Sequence, residues 1–442
     1  MNWRKIVQLT MVHVGVSITV VPVTGTLNRI MIADMGLPAL WVGILVAFPY
    51  LLSPLQVIVG SWADAHPLGG RRRSPWIVAG GLMAAFGGYF TGHAVYLFAA
   101  QPMIGALAAV GAFLVWGLGV NIASVSYLSL VTELSADRPA WRSRAISMMW
   151  SAMILGTIGT SLAIAAMLDP FSEEALYTAF GAIWLIAAVL VLFGASRLEP
   201  RALATTLETV EIDRRANSPR VAFQILNANP SAKRYFVYLL IVLISIHAQD
   251  VLLEPFGAEA MDMAVSMTSR LKSFWGLGFF ITLMGGFWLV RRFGKRWAAN
   301  VGAGVTAVAF FTIILTGLAQ NATLFVGAVV LLGLGGGLMT ISNLSFMLDM
   351  TIPQAAGLYM GAWGAANFAG QAIGNIVSGG LRDLVLWATG NPLVGYLAVF
   401  SLEIVGLLVA VWLFRAIQVE DFERDARAAL PQTLTLTAQA AD

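Results

Sequence analysis

The chain has 442 residues, of which 58% are hydrophobic and only 11% are charged, and its mean hydropathy is +0.80. A soluble domain carries about a quarter charged residues, so this composition excludes a water-soluble protein and indicates an integral membrane protein. The net charge is +3. The chain contains no cysteine, which excludes disulfides, zinc sites with cysteine ligands and iron–sulfur clusters.

Apolar stretches of about 20 residues, the length that spans a bilayer, predict twelve transmembrane helices and an all-α fold. In chain order these spans are 6–32, 39–63, 75–98, 104–132, 144–168, 175–196, 234–256, 268–290, 298–318, 323–348, 357–381 and 394–415. The first span follows a short basic start but is too long for a signal peptide, so we interpret it as a retained helix.

The longest polar stretch, 197–233, separates the spans six and six. It predicts a linker between two six-helix bundles, 1–196 and 234–415, which are followed by a polar tail, 416–442. The last part of this tail, LPQTLTLTAQAAD, is predicted to be disordered. Roughly 22 of the 26 basic residues lie on the side of the N-terminus, which predicts that both termini and the linker are cytoplasmic. This topology explains the positive charge without nucleic acid.

Two segments of the chain predict an internal repeat. GLGVNIASVSYLSLVTE (117–133) and GLGGGLMTISNLSFMLD (333–349) align without a gap, and each ends in an acid, Glu133 or Asp349. The loops that follow spans two and eight also correspond, because each places a glycine near the helix end and a basic cluster after it. A parallel six-helix repeat of this kind is typical of major facilitator transporters.

Span seven ends in HAQDVLLEPFG (247–257), where two acids stand inside an apolar run. On a regular helix His247, Asp250 and Glu254 share one face, and Pro255 and Gly257 end or bend the helix. Acids within spans are costly in hydrocarbon and usually mark functional sites. We therefore expect Asp250 and Glu254 to have a gating or other functional role, although simple hydrogen bonding to neighbouring helices is the alternative.

The outer end of span one carries Asn28 and Arg29. The resemblance to major facilitator transporters implies that this end lies close to the outer end of span seven. The sequence therefore predicts an outer gate in which Arg29 pairs with Asp250 or Glu254, with Asn28 and Gln249 as hydrogen-bond partners.

Span eleven has a polar stripe of Asn367, Gln371 and Asn375, which share one helical face. Three carboxamides on one face indicate either a cavity wall or a tight seam between helices, and the sequence leaves both open.

The loop after span two carries Gly60, Asp64, Arg71, Arg72 and Arg73. This pattern resembles the signature loop of the major facilitator superfamily. The resemblance implies a cytoplasmic latch that involves these residues at the ends of the two halves.

Three further segments, VPVTGTLNRIMIAD (21–34), ADAHPLGGRRRSPWI (63–77) and QDVLLEPFG (249–257), resemble the PucC/LhaA type of photosynthetic membrane proteins. This resemblance implies an assembly factor of light-harvesting complexes that binds (bacterio)chlorophyll or delivers it to antenna polypeptides. It also implies a photosynthetic inner membrane, with antenna polypeptides and chlorophyll-synthesis enzymes as candidate partners.

His13 and His247 lie within spans, one in each half. A neutral imidazole is a metal ligand, so these side chains are candidate ligands for the magnesium of a pigment, with plain hydrogen bonding as the alternative. We expect no enzyme activity, because the sequence has no nucleophile–base motif, phosphate loop or metal-spacing motif. The competing functions are a secondary transporter of a small solute, proton-coupled through Asp250 and Glu254, and a scaffold that holds partner helices without transport.

Overall fold

A computed structural model describes residues 2–65, 67–136, 139–199, 229–352 and 356–428. Within these ranges the chain folds into helices. The β-type pairing found there is one isolated bridge between Leu68 and Arg71. The middle of the predicted linker and the end of the tail, 200–228 and 429–442, lie outside the described residues.

The described chain forms twelve helical passes, which we number by pass. They are α1 (Trp3–Asp34), α2 (Ala39–Val46, Phe48–Leu51 and Leu55–Ala65), α3 (Ser74–Ala100), α4 (Pro102–Leu134), α5 (Pro139–Met167), α6 (Glu173–Ala195), α7 (Pro230–His247, Ala248–Val251 and Leu253–Met261), α8 (Val265–Ser269 and Leu271–Phe293), α9 (Lys295–Ala319), α10 (Ala322–Asp349), α11 (Ala356–Thr389) and α12 (Pro392–Phe414). Of these passes in the described chain, nine are long and apolar enough to cross a membrane. The other three are α2, α3 and α11, so the count of twelve spans stays a prediction.

The passes alternate in direction, which gives the bundle two ends. We call the end at which α1 and α7 begin the basic end, because the loops with Arg71–Arg73 and Lys295 lie there. We call the opposite end the distal end. A short helix over 419–428 follows α12 at the basic end, where Phe422 is buried and its ring packs edge-on against Tyr359.

Prolines interrupt the passes that build the distal half of the bundle. A proline has no N–H and its ring displaces the carbonyl four residues earlier, and accordingly α2 breaks beside Pro49 and Pro54. In α1 the turns from Pro22 widen into π-helix over Pro22–Leu27 and Ile30–Asp34. Such widened turns often occur at functional sites.

The break in α7 differs from the regular helix that the sequence predicted for residues 247–254. Residues Ala248–Val251 form a 3₁₀ turn, and a new helix begins at Leu253. The physical cause is Pro255, which cannot donate a hydrogen bond to Val251 O, four residues earlier. The bend expected at Pro255 therefore lies one turn earlier, and it leaves carbonyl groups free for another helix.

The two halves pack in the same way where the sequence predicted a repeat. A Cβ atom on Gly119 of α4 would lie 2.2 Å from the backbone nitrogen of Ala84 on α3. A Cβ atom on Gly335 of α10 would lie 2.7 Å from the backbone nitrogen of Thr306 on α9. These glycines therefore allow backbone-to-backbone contact at equivalent positions of both halves.

Candidate functional site

The hydrogen bonds between the two halves of the described chain cluster toward the distal end. Thr26 Oγ1 lies 2.9 Å from Ser269 Oγ, and Ser161 donates to Ser269 O at 2.6 Å. Ser273 donates to Ile158 O at 3.0 Å. These contacts join α1 and α5 of the first half to α8 of the second, so the distal ends of the halves are held together.

The two acids of α7 lie in a group that we call the charge cluster: His247, Gln249, Asp250, Glu254 and Lys272. The Asp250 carboxylate accepts from Gln249 Nε2 at 2.7 Å and lies 2.8 Å from His247 Nδ1. Lys272 Nζ on α8 lies 3.8 Å from Asp250 Oδ1 and 3.7 Å from Glu254 Oε1. The Glu254 side chain is fully buried, so a single lysine stands between two acids in a low-dielectric interior.

The predicted pairing of Arg29 with these acids is wrong. The Arg29 guanidinium pairs with Asp34 of its own pass, and it also donates to Met263 O in the α7–α8 connection at 3.3 Å. The π-helical turns of α1 bring Asp34 within reach of Arg29. Lys272 occupies the position beside the acids that the sequence reading assigned to Arg29.

Asn28 contacts α7, as the sequence predicted, but its hydrogen bonds go to the backbone of α7 and not to the side chains of the acids. Its Nδ2 donates to Val251 O at 3.0 Å and to Asp250 O at 3.3 Å. The Val251 carbonyl is free because Pro255 has no N–H, and a free carbonyl inside a membrane needs such a partner. Gly25 lies beside the charge cluster, since a Cβ atom there would be 3.5 Å from Lys272 Cγ and 3.7 Å from Glu254 Oε1. Helix α1 thus covers a charged site that belongs to the second half.

The sequence reading missed Glu403, the acid in the middle of α12. Its side chain is buried, and neither carboxylate oxygen has a hydrogen-bond partner among the residues that the structure describes. Asp250 is near enough for electrostatic repulsion when both groups are ionised. A lone acid in one of the most apolar passes was the signal that could have revealed it.

A second charged group joins the halves at the distal end. The Asp383 carboxylate of α11 accepts from the backbone nitrogens of Ala39 and Leu40, at 3.1 and 2.8 Å, and so caps the first helix of α2. Arg382 donates to Asp383 at 3.1 Å and to both oxygens of Glu259 at 2.8 and 3.0 Å. The cap crosses from one half to the other, and it stabilises the closed distal end.

The polar stripe of α11 was predicted to form either a cavity wall or a tight seam between helices, and its residues differ in this respect. Gln371 donates to Asn367 at 2.6 Å, and both side chains are half-buried. Asn375 is buried in a seam with α2, because a Cβ atom on Gly43 would lie 2.3 Å from Asn375 O. The seam reading therefore describes Asn375, and a cavity role for Asn367 and Gln371 stays a prediction.

At the basic end, the loop arginines contact partners within the first half. Arg73 Nε donates to Glu133 at 3.1 Å, and Arg72 lies 3.4 Å from the same carboxylate. Arg73 also donates to Gly60 O at 3.3 Å, and Glu199 accepts from the backbone of residues 72–74. Lys295 and Asp349 form the equivalent pair of the second half, at 2.6 Å. The side chain of Asp64 lies outside the described residues, so its role in a latch stays a prediction.

The two candidate pigment ligands each have one ring nitrogen engaged. His13 Nδ1 lies 2.7 Å from Tyr127 Oη, and its Nε2 is buried without a partner among the described residues. The Trp150 ring lies 6.0 Å from the His13 ring. His247 Nδ1 lies in the charge cluster, 2.8 Å from Asp250. His13 therefore presents an unexplained buried nitrogen.

A family model described as "PUCC protein" matches residues 26–422. The chain is 29% identical over 431 residues to "Protein PucC" of Cereibacter sphaeroides, which covers 90% of this chain and 89% of that protein. It is 28% identical over 400 residues to the "Bacteriochlorophyll synthase 44.5 kDa chain" of Rhodobacter capsulatus, covering 87% and 89%. It is 27% identical over 427 residues to an "Uncharacterized protein in puhA-bchM intergenic region" of Rhodobacter capsulatus, covering 92% and 87%.

Among solved structures, the nucleoside transporter NupG superposes with a TM-score of 0.71 at 14% identity, covering 94% of this chain and 99% of that one. A bacterial homologue of the human lysosomal transporter Spinster superposes with a TM-score of 0.69 at 16% identity, covering 96% and 99%. At this identity the similarity concerns the fold alone, and it confirms the predicted major-facilitator architecture of an all-α, multi-pass membrane protein.

Proposed function

The chain belongs to the PucC family, and we propose on this basis that it is a membrane assembly factor of light-harvesting complexes that binds (bacterio)chlorophyll and delivers it to antenna polypeptides. The observation that carries the proposal is the family match over 26–422. The proposal assigns no reaction to the chain, although one relative bears the name of a synthase chain. The family match is our reason for placing it in an inner, photosynthetic membrane, and the distribution of Lys and Arg supports cytoplasmic termini.

His13 is the residue that we propose as the pigment contact. An imidazole that ligates a metal usually has its other ring nitrogen fixed by a hydrogen bond, and Tyr127 provides that bond to His13 Nδ1. The remaining nitrogen, Nε2, is buried and unpartnered in the described chain. When bound, the pigment would supply a magnesium ion that accepts this nitrogen. His247 remains a candidate from the sequence, but its side chain is part of the charge cluster.

Purification from a host that makes bacteriochlorophyll tests the proposal. We expect wild-type protein in mild detergent to retain a pigment that absorbs in the red and to retain antenna polypeptides. His13→Gln should lose most of the pigment. His93→Gln is the matched control, because His93 lies within α3, where its ring stacks on Tyr177 at 4.2 Å, and should retain the pigment. Wild-type protein without pigment and without antenna polypeptides would contradict the assembly role.

Solute transport is the second candidate function, and the charge cluster is the observation that favours it. Buried acids beside a lysine at the junction of two halves are typical of proton relays. Proteoliposomes that contain a pH-sensitive dye can be supplied with a small-molecule extract of the host. Acidification by wild-type protein that is lost in Asp250→Asn would support transport. No acidification by a protein that still supports antenna assembly would support the assembly role.

A further inference from the structure

Glu403 is a buried acid whose oxygens are unexplained by the contacts of the described chain. Glu403 is 2% exposed, and neither of its carboxylate oxygens has a hydrogen-bond donor among the described residues. An ionised carboxylate without donors is costly in an apolar interior. Asp250 differs because Gln249 and His247 lie within hydrogen-bond distance of its carboxylate. The oxygens of Glu254 also lack a hydrogen-bond partner in the described chain, but Lys272 Nζ lies 3.7 Å from Glu254 and supplies a compensating charge. Of these three acids, Glu403 therefore has the largest uncompensated free-energy cost of ionisation, and a bound proton removes that cost.

The charges around Glu403 also favour a bound proton on this residue. When both are ionised, Asp250 and Glu254 carry two negative charges against the positive charge of Lys272, with His247 as a further positive partner of Asp250 only when it is protonated. An ionised Glu403 would add a further negative charge next to this excess, and it would repel Asp250. A proton on Glu403 removes this repulsion without any rearrangement of the pairs.

The helices that pack against α12 supply few compensating charges near Glu403. α12 contacts all three helical segments of α7, and it also contacts α9 and α11. The titratable groups of this region include Lys295 and Arg296 at the basic end, Glu259, Arg382 and Asp383 at the distal end, and, between them, Tyr50, His247, Asp250, Glu254, Lys272 and Tyr396. The positive groups on α9 and α11 lie toward the helix ends, whereas Glu403 lies in the middle of α12.

The burial of the charge cluster depends on contact between the two halves. Gly25 and Asn28 of α1 lie directly on the charge cluster, and Tyr50 of α2 is near Asp250. These residues belong to the first half, whereas the cluster belongs to the second. When the distal ends separate, water replaces α1, and the ionised carboxylates of the cluster become much less costly. The main helix contacts of α12 are within the second half, so closure reaches Glu403 through the 3₁₀ turn that carries Asp250.

We propose that Glu403 is a proton-binding site coupled to closure of the distal end. In the closed arrangement the carboxyl group of Glu403 holds a proton. Its release to water leaves a carboxylate that repels Asp250 and favours separation of the halves. The inference rests on the arrangement of α1, α7, α8 and α12, and it holds whether the protein delivers a pigment or transports a solute.

Infrared spectroscopy of the full chain in lipid nanodiscs tests the protonation directly. We expect the C=O stretch of a protonated carboxylic acid at neutral pH, and we expect Glu403→Gln to remove it. Glu173→Gln is the matched control, because Glu173 is exposed at the start of α6 and its replacement should leave the band unchanged. Glu403→Asp should shift the band, which provides the same assignment if the glutamine variant does not accumulate. A neutral-pH spectrum without the band, or a band unchanged in both Glu403 variants, would overturn the proposal.

Distance measurements between spin labels test the coupling. Phe171→Cys in the α5–α6 connection and Trp387→Cys near the distal end of α11 are exposed positions on opposite halves, and the chain has no native cysteine. We expect the distance between the labels to lengthen as the pH rises and to become independent of pH in Glu403→Gln. Glu173→Gln should retain the pH dependence. A constant distance in the wild-type background, or an unchanged pH dependence in Glu403→Gln, would show that the site is not coupled to closure.

Discussion

Lys272 is the residue whose replacement best tests the charge cluster. Its Nζ lies 3.7 Å from Glu254 and 3.8 Å from Asp250. Unit charges about 4 Å apart interact by about 4 kcal/mol at an effective dielectric constant of about 20. Removal of one member of a buried pair costs about 3–5 kcal/mol, because the other charge is left uncompensated. Lys272→Met, which keeps the length of the side chain, should therefore destabilise the protein by about this amount.

A double-mutant cycle separates the pairing from other effects of the substitution. Glu254→Gln combined with Lys272→Met removes both charges, so the loss should be smaller than the sum of the single losses by at least about 1 kcal/mol. The same cycle between Arg29→Met and Glu254→Gln is the control. It should be close to additive, because Arg29 pairs with Asp34.

The measurement is the fraction of monodisperse protein in detergent as a function of temperature, together with the amount of protein in the membrane. Additive losses for Lys272 and Glu254 would refute the pairing. An equal coupling in the Arg29 cycle would show that Arg29 reaches the acids after all, as the sequence alone had suggested.

Three further predictions follow from the helix contacts. Asp383→Asn weakens the cap on α2 and the pairing with Arg382, so it should cost about 0.5–2 kcal/mol and lengthen the distance between the labels at the distal end. Gly119→Ala should greatly reduce the amount of folded protein, because its Cβ would lie 2.2 Å from a backbone nitrogen of α3, whereas Gly111→Ala, with no atom within 4 Å among the described residues, should be neutral; equal accumulation of the two variants would contradict the packing. Reporter fusions after residues 35 and 225 should report opposite sides of the membrane, and the same side would contradict the twelve-span topology.

The sequence did not predict the roles of the acid Glu403 and the lysine Lys272. Glu403 and Lys272 are both visible as charged residues in or beside apolar runs. Their roles are not visible, because a single sequence does not tell which charges on separate helices face one another. The sequence predicted Arg29 alone as the partner of the acids, although Lys272 lies beside the same end of its own span. The π-helical turns of α1, which direct Arg29 to Asp34, decided between them.

The amino-acid sequence by itself determined the class of the protein, because a bilayer imposes one local requirement on each segment: about 20 apolar residues with their backbone bonded within the helix. It also indicated an internal repeat, since Gly119 and Gly335 occupy matching positions at which two backbones touch. Only the tertiary structure decided the partners of the buried charges. Pro255 is readable in the sequence, but the carbonyl that it frees is bonded by Asn28, more than two hundred residues away. Charges in a low-dielectric interior are stable only beside a partner within a few ångströms, and those distances exist only once the separate helices have packed against one another.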